Sequence, residues 1–181
     1  MENLKLENFS TGYTNDFIIK SIDLSVKSGE WLGVIGPNGA GKSTLIKGIC
    51  RIIKPFQGSL YLKGKDINRF TNKIISQTIS FLPQQFNSNM QVTVKELVAL
   101  GRSPYKNFWE FDLNKTDKKK INEALNLVDM YDFKDTLITQ LSGGQRQRAY
   151  LALALAQDPE ILILEEPTNA LDLKYQIKFL E

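Results

Sequence analysis

Nine consecutive residues, Gly36-Pro37-Asn38-Gly39-Ala40-Gly41-Lys42-Ser43-Thr44, have the types and spacing to do chemistry. They spell G-x-x-x-x-G-K-[ST], in which each residue type has a physical reason. The glycines let the backbone curl until successive N–H groups point at phosphate oxygens. A helix beginning at Lys42 would offer its positive N-terminal end to the same anion. Lys42 adds a point charge for terminal phosphates, and Ser43 a hydroxyl for Mg²⁺. Asn38, Gly39, Gly41, Lys42, Ser43 and Thr44 are therefore expected to bind the phosphates of a nucleoside triphosphate.

Two further groups bear on that chemistry. Glu165 and Glu166 close the apolar run Ile161-Leu162-Ile163-Leu164. At the carboxyl edge of an α/β sheet, where ligands bind, one acid can serve Mg²⁺ and the next a water. The same pair also suits an ordinary helix start. Leu141-Ser142-Gly143-Gly144-Gln145 is a second glycine-rich helix start, with Ser142 as N-cap. It can grip an anion through unbonded amides or simply be a capped helix; without a lysine it is no independent triphosphate site. Tyr13 reads either as edge packing or as a plate for a nucleotide base, stacking being worth about 1–3 kcal/mol.

The elements that must hold these residues follow from pattern. Leu4, Leu6 and Phe9 begin one strand, and Ile18 to Val26 a second. Trp31-Leu32-Gly33-Val34-Ile35 reads as a buried strand leading into the loop, and Leu45 to Ile53 as the helix leaving it. Lys54 to Gly58 stops that helix, and Ser59-Leu60-Tyr61-Leu62 is a short strand. A short helix begins at Lys73 to Ser76, and Ile79-Ser80-Phe81-Leu82 is strand-like. Val94, Leu97, Val98 and Leu100 fit one helix face. Ile121, Ala124, Leu125 and Val128 fit another. Ile161–Leu164 reads as a fully buried strand of a parallel sheet.

Composition sets the limits. The chain has 181 residues, 42% hydrophobic and 24% charged, as in a soluble globular domain. A net charge of +3 makes no case for a nucleic-acid partner. Lys118-Lys119-Lys120 reads as a solvated helix face, and the single Cys50 as buried filler. No signal-peptide block opens the chain, and no apolar run spans a bilayer.

Together these motifs resemble the ATPase subunit of ATP-binding-cassette (ABC) proteins over essentially the whole chain. Gly36–Thr44 matches that family's phosphate loop and Gln84 its Q-loop. Leu141–Gln145 is identical to its signature sequence. Ile161–Thr168 matches its Walker B strand, Ala170-Leu171-Asp172 its D-loop, and Tyr13 its base-stacking aromatic. The resemblance implies an α/β fold: a P-loop NTPase core with a mostly parallel sheet, N-terminal antiparallel strands and an inserted helical subdomain. The core would comprise 1–85 and 141–181, and the helical subdomain about 86–140. It implies ATP and Mg²⁺ as cofactors. Lys42 and the loop amides would hold the β- and γ-phosphates. Ser43, Gln84 and Glu165 would serve the metal, and Glu166 would polarise the attacking water. Ser142, Gly143, Gly144, Gln145 and Asp172 would meet the ATP held by the other copy of a head-to-tail homodimer.

Val92 to Tyr105 and Leu141 to Gln157 resemble more narrowly the importer ATPases for ferric siderophores, haem and cobalamin. That branch implies a cytoplasmic subunit on the inner face of the membrane. A permease would contact it through the Gln84 region and the helical subdomain. Two departures stand out. Glu165 occupies a position where the family usually has aspartate, so weakened Mg²⁺ support is expected. The family also has a switch histidine on a strand beyond the Walker B strand, whereas this sequence contains no histidine. The expectation is of a C-terminally truncated ATPase with poor stability and little turnover as it stands.

Overall fold

The computed structural model describes residues 2–13, 19–84, 90–107, 110 and 112–166. The chain forms two compact units, Met1–Ile75 and Ser76–Glu181.

In the first unit an antiparallel sheet runs in the order β2-β1-β3-β4. Its strands are β1 (Glu2–Thr11), β2 (Ile19–Lys27), β3 (Pro55–Leu62) and β4 (Lys65–Asp66). Alternation puts Leu4, Leu6, Leu60 and Leu62 on the buried face. Register shifts on both sides of β1 mark a bulge around Asn8. Opposite it, Gly58 has φ +84°, and a Cβ there would stand 2.1 Å from the Asn8 carbonyl oxygen. Only glycine fits. Strand β3 starts at Pro55, so the Pro-Phe-Gln-Gly stretch read as a helix stop is already strand. Proline is tolerated there because the first residue of a strand need not donate.

Helix α1 (Lys42–Ile49) lays Leu45, Ile46 and Ile49 against the sheet. Gly48 allows the close approach: a Cβ there would lie 2.9 Å from Thr11 Cγ2. Cys50 caps the helix and is half-buried, with desolvation pushing its thiol up to about 12.

The second unit is built around α5 (Gly143–Ala156), buried on nearly every side. Around it pack α3 (Val94–Ala99), α4 (Lys115–Leu127) and the parallel pair β5 (Ile79–Leu82) and β6 (Ile161–Leu164). A short helix, α2 (Asn72–Thr78), precedes β5. Val94, Leu97, Val98, Ile121, Ala124 and Leu125 fill one core with Ala149, Ala152 and Met130, as the helical spacing requires. Leu100 leaves that face: it is exposed and opens a 3-10 segment, Leu100–Tyr105. Within it Gly101 lies against α5, where a Cβ would stand 2.3 Å from the Leu153 carbonyl oxygen.

Two expectations are corrected. The run Trp31–Ile35 is not a strand: its backbone is irregular, with Trp31 75% and Ile35 97% exposed. A strand needs a neighbour for its N–H and C=O groups, and no described strand lies beside this one. Ile161–Leu164 is a strand, yet half-buried, because among the described residues it pairs on one edge only.

Candidate functional site

The phosphate loop belongs to the first unit. Gly39 (φ +80°) and Gly41 (φ +89°) hold left-handed backbone that side chains resist. Gly41 is the N-cap of α1 and provides no side-chain cap, so the helix start is left for a ligand. Lys42 folds back and donates to the carbonyl oxygens of Gly36 (2.7 Å) and Pro37 (3.0 Å). Those contacts brace the loop around its own cation. Asn38 lies in the exposed turn, Ser43 is half-buried and Thr44 is buried beneath the loop. Tyr13 follows β1, is 55% exposed, and takes a hydrogen bond from Lys47 Nζ at 3.1 Å.

In the second unit the ends of β5 and β6 bring three predicted residues together. Parallel pairing of Leu82 with Leu164 places Gln84 beside the two glutamates. Gln84 Nε2 donates to Glu166 Oε2 at 2.6 Å, and Gln84 N to Glu165 Oε2 at 3.5 Å. The Glu165 amide completes the ladder on Leu82 O at 3.0 Å. Glu166 itself adopts φ +46°, so the chain turns sharply at the strand end and the two carboxylates are no longer forced onto opposite faces.

The second glycine-rich helix start is a full capping box. Ser142 Oγ accepts from the Gln145 amide at 3.3 Å, and Gln145 Oε1 accepts from the Ser142 amide at 2.9 Å. Gly143 faces open space. Asp172 lies outside the described residues, so it is not brought to any of these groups.

A buried charge cluster escaped the sequence reading. Asp117 is 1% exposed. Its carboxylate takes Arg102 Nε at 3.0 Å, Lys106 Nζ at 2.6 Å and the Asn114 amide at 3.1 Å. Burial pushes the Asp117 carboxyl up, but Lys106, Arg102 and the Asn114 amide outweigh it and hold the group below the ordinary carboxylate range. Arg102 also donates to Ala156 O at 2.8 Å and lies 3.9 Å from the Tyr105 ring centroid. The available signal was Asn114 three residues before Asp117, a capping-box spacing.

A phosphate loop opening a helix, with acids at the carboxyl end of a parallel strand pair, defines a P-loop nucleotide-binding α/β protein. Comparison with known proteins narrows that class. The family model described as "ABC transporter" matches residues 19–169, and the chain belongs to that family. It is 40% identical over 170 residues to the achromobactin transport ATP-binding protein CbrD of Dickeya dadantii, covering 94% of this chain and 63% of the relative. It is 39% identical over 181 residues to the iron(3+)-hydroxamate import ATP-binding protein FhuC of Bacillus subtilis, covering 100% and 67%. The chain thus spans about two thirds of the length of the curated relatives it matches. Among solved structures it resembles a metal-chelate type ABC transporter in an inward-facing conformation, at TM-score 0.82 and 31% identity over 99% of this chain and 65% of that one. It also resembles a dimeric ATP-binding cassette in a post-hydrolysis state with ADP and Pi, at TM-score 0.82 and 32% identity over 98% and 79%. Among the described residues no helix is long and apolar enough to cross a membrane.

Proposed function

We propose that this chain is the nucleotide-binding part of an ABC importer ATPase, converting ATP and water to ADP and phosphate to drive uptake of an iron–siderophore or related metal chelate. The observation that carries the ATPase reading is the uncapped start of α1, with glycines at positive φ and Lys42 resting on Gly36 O and Pro37 O. Phosphate oxygens offer that ammonium stronger, charge-assisted partners than the loop carbonyls. Lys42 exchanges one set for the other, and the loop and α1 amides take the remaining phosphate oxygens. The chelate reading is supported by relatives named for achromobactin and iron(3+)-hydroxamate. Cytoplasmic placement at the inner membrane face, with residues about 86–140 and the Gln84 region against a permease, belongs to the same reading.

The donor set fits Mg²⁺. Ser43, Gln84 and Glu165 offer hard oxygens, and this ion takes few protein donors beside substrate phosphates. Because Gln84 approaches Glu166 through Nε2, its carbonyl oxygen remains the atom that would face a metal. Bound Mg²⁺ would neutralise phosphate charge. Glu166 polarises the attacking water, and Gln84 sets the direction of its carboxylate. Ser142 Oγ accepts from its own helix, so its proton points outward, ready to donate to a γ-phosphate held by a second copy. Lacking lysine, this start completes a neighbour's site in a homodimer.

The test is pairing. A Glu166→Gln chain mixed with Mg-ATP and followed by light scattering is expected to become a dimer, and to remain a monomer with ADP. A monomer under both conditions overturns the proposal.

A further inference from the structure

Tyr13 is held by a residue that no motif includes. Lys47 Nζ lies 3.1 Å from the phenol oxygen and 5.7 Å from the ring centroid. A phenol oxygen stands about 2.8 Å from its own ring centre by covalent geometry. The two shorter lengths nearly add to the longest, so the ammonium lies close to the axis from ring centre through oxygen. It therefore sits beyond the rim of the ring and not over a face, where a cation–π contact would place it. Lys47 grips the ring by its tip and covers neither broad face.

The anchor is shared with the phosphate loop. Lys47 stands on α1, whose first turn begins at Lys42. That helix is seated on β1 by Gly48 against Thr11 and Phe9, two and four residues before Tyr13. One short helix thus fixes the phosphate-binding amides at its start and the aromatic ring further along.

We infer that Lys47 is a positioning residue for the nucleotide base: it holds Tyr13 edge-on so that an open ring face is preset for a purine stacked above phosphates on the same helix. This rests on the nucleotide-binding reading above. An exposed aromatic side chain free to change rotamer must be ordered on binding, and presetting it removes that loss.

Calorimetric titration of the chain with Mg-ATP and with Mg-tripolyphosphate, which lacks base and ribose, tests this. Lys47→Met is expected to weaken Mg-ATP about three- to tenfold and leave Mg-tripolyphosphate within about twofold. Lys47→Arg should restore ATP to within about twofold, since it keeps a cation at the same rim. Tyr13→Phe removes the same contact from the other side, so the Lys47→Met/Tyr13→Phe pair should be no weaker than either single variant. An unchanged ATP affinity in Lys47→Met, an equal loss for both ligands, or additive losses in the pair would each overturn the inference. Failure of the underlying reading looks different: full ATP affinity in Tyr13→Ala removes base stacking, and an unaltered chain that binds neither ligand removes nucleotide binding.

Discussion

Helices α1 and α5 both begin with glycine-rich chain, yet their first turns are finished in opposite ways. At α1 the N-cap is a glycine with no side chain to donate to, and a lysine stands at the first helical position. At α5 the N-cap is Ser142, and Gln145 returns the favour by accepting from its amide. One start is incomplete without an anion; the other is satisfied by its own side chains. The difference teaches that a glycine-rich helix start is not one kind of site. The first is built to bind a ligand outright, and the second to present a single oriented hydroxyl. Helix α4 adds a third version, in which the capping-box acid Asp117 is buried and also neutralises Arg102 and Lys106.

The contrast can be broken by substitution. The largest effect is expected at α4. Asp117→Ala removes the cap and leaves Arg102 buried without its carboxylate, at a cost of about 3 kcal/mol or more; urea unfolding monitored by circular dichroism measures it. The pH dependence has a defined sign. Asp117 titrates lower in the folded chain than unfolded, so its stabilisation is complete above its unfolded value and disappears as pH falls through its folded value. Asp117→Asn should therefore flatten the acid side of a stability–pH curve.

Next in size is Lys42→Met. Losing the ammonium should weaken Mg-ATP by about 2–5 kcal/mol, roughly thirtyfold or more, in a calorimetric titration. Stability should change little, because the cap of α1 involves no side chain. Ser142→Ala reverses that pattern. Losing its N-cap should lower stability by about 0.5–2 kcal/mol in the same urea assay, and ATP-driven pairing should be lost from the Glu166→Gln background. The smallest effect belongs to Gln145→Glu. Glutamate completes a capping box as well as glutamine does, so stability should stay within about 0.5 kcal/mol. Its added charge should still hinder pairing around a triphosphate, which light scattering at graded ATP concentrations would show. If Gln145→Glu instead unfolded the chain, the capping-box account of α5 would be wrong.

Much of this was legible in residues close together in the chain. The loop Gly36–Thr44, the Ser142–Gln145 start and the packed faces of α3 and α4 all depend on neighbours within a few positions. The capping acid Asp117 had a local signature too, though its partners Arg102 and Lys106 did not. Two apolar runs mark where local reading fails. Ile161–Leu164 and Trp31–Ile35 are alike in composition, but the first finds β5 at its edge and the second finds no described strand.

The sequence by itself determined the family, the phosphate-binding loop and the capped helix starts, because turn chemistry and helix caps are short-range. Only the tertiary structure decided which apolar run became a strand, that Arg102 and Lys106 share Asp117, that Gln84 rests on Glu166, and that Lys47 holds Tyr13 by its rim. Each of these needs a partner far along the chain, and no local preference specifies which distant group will complete a hydrogen bond.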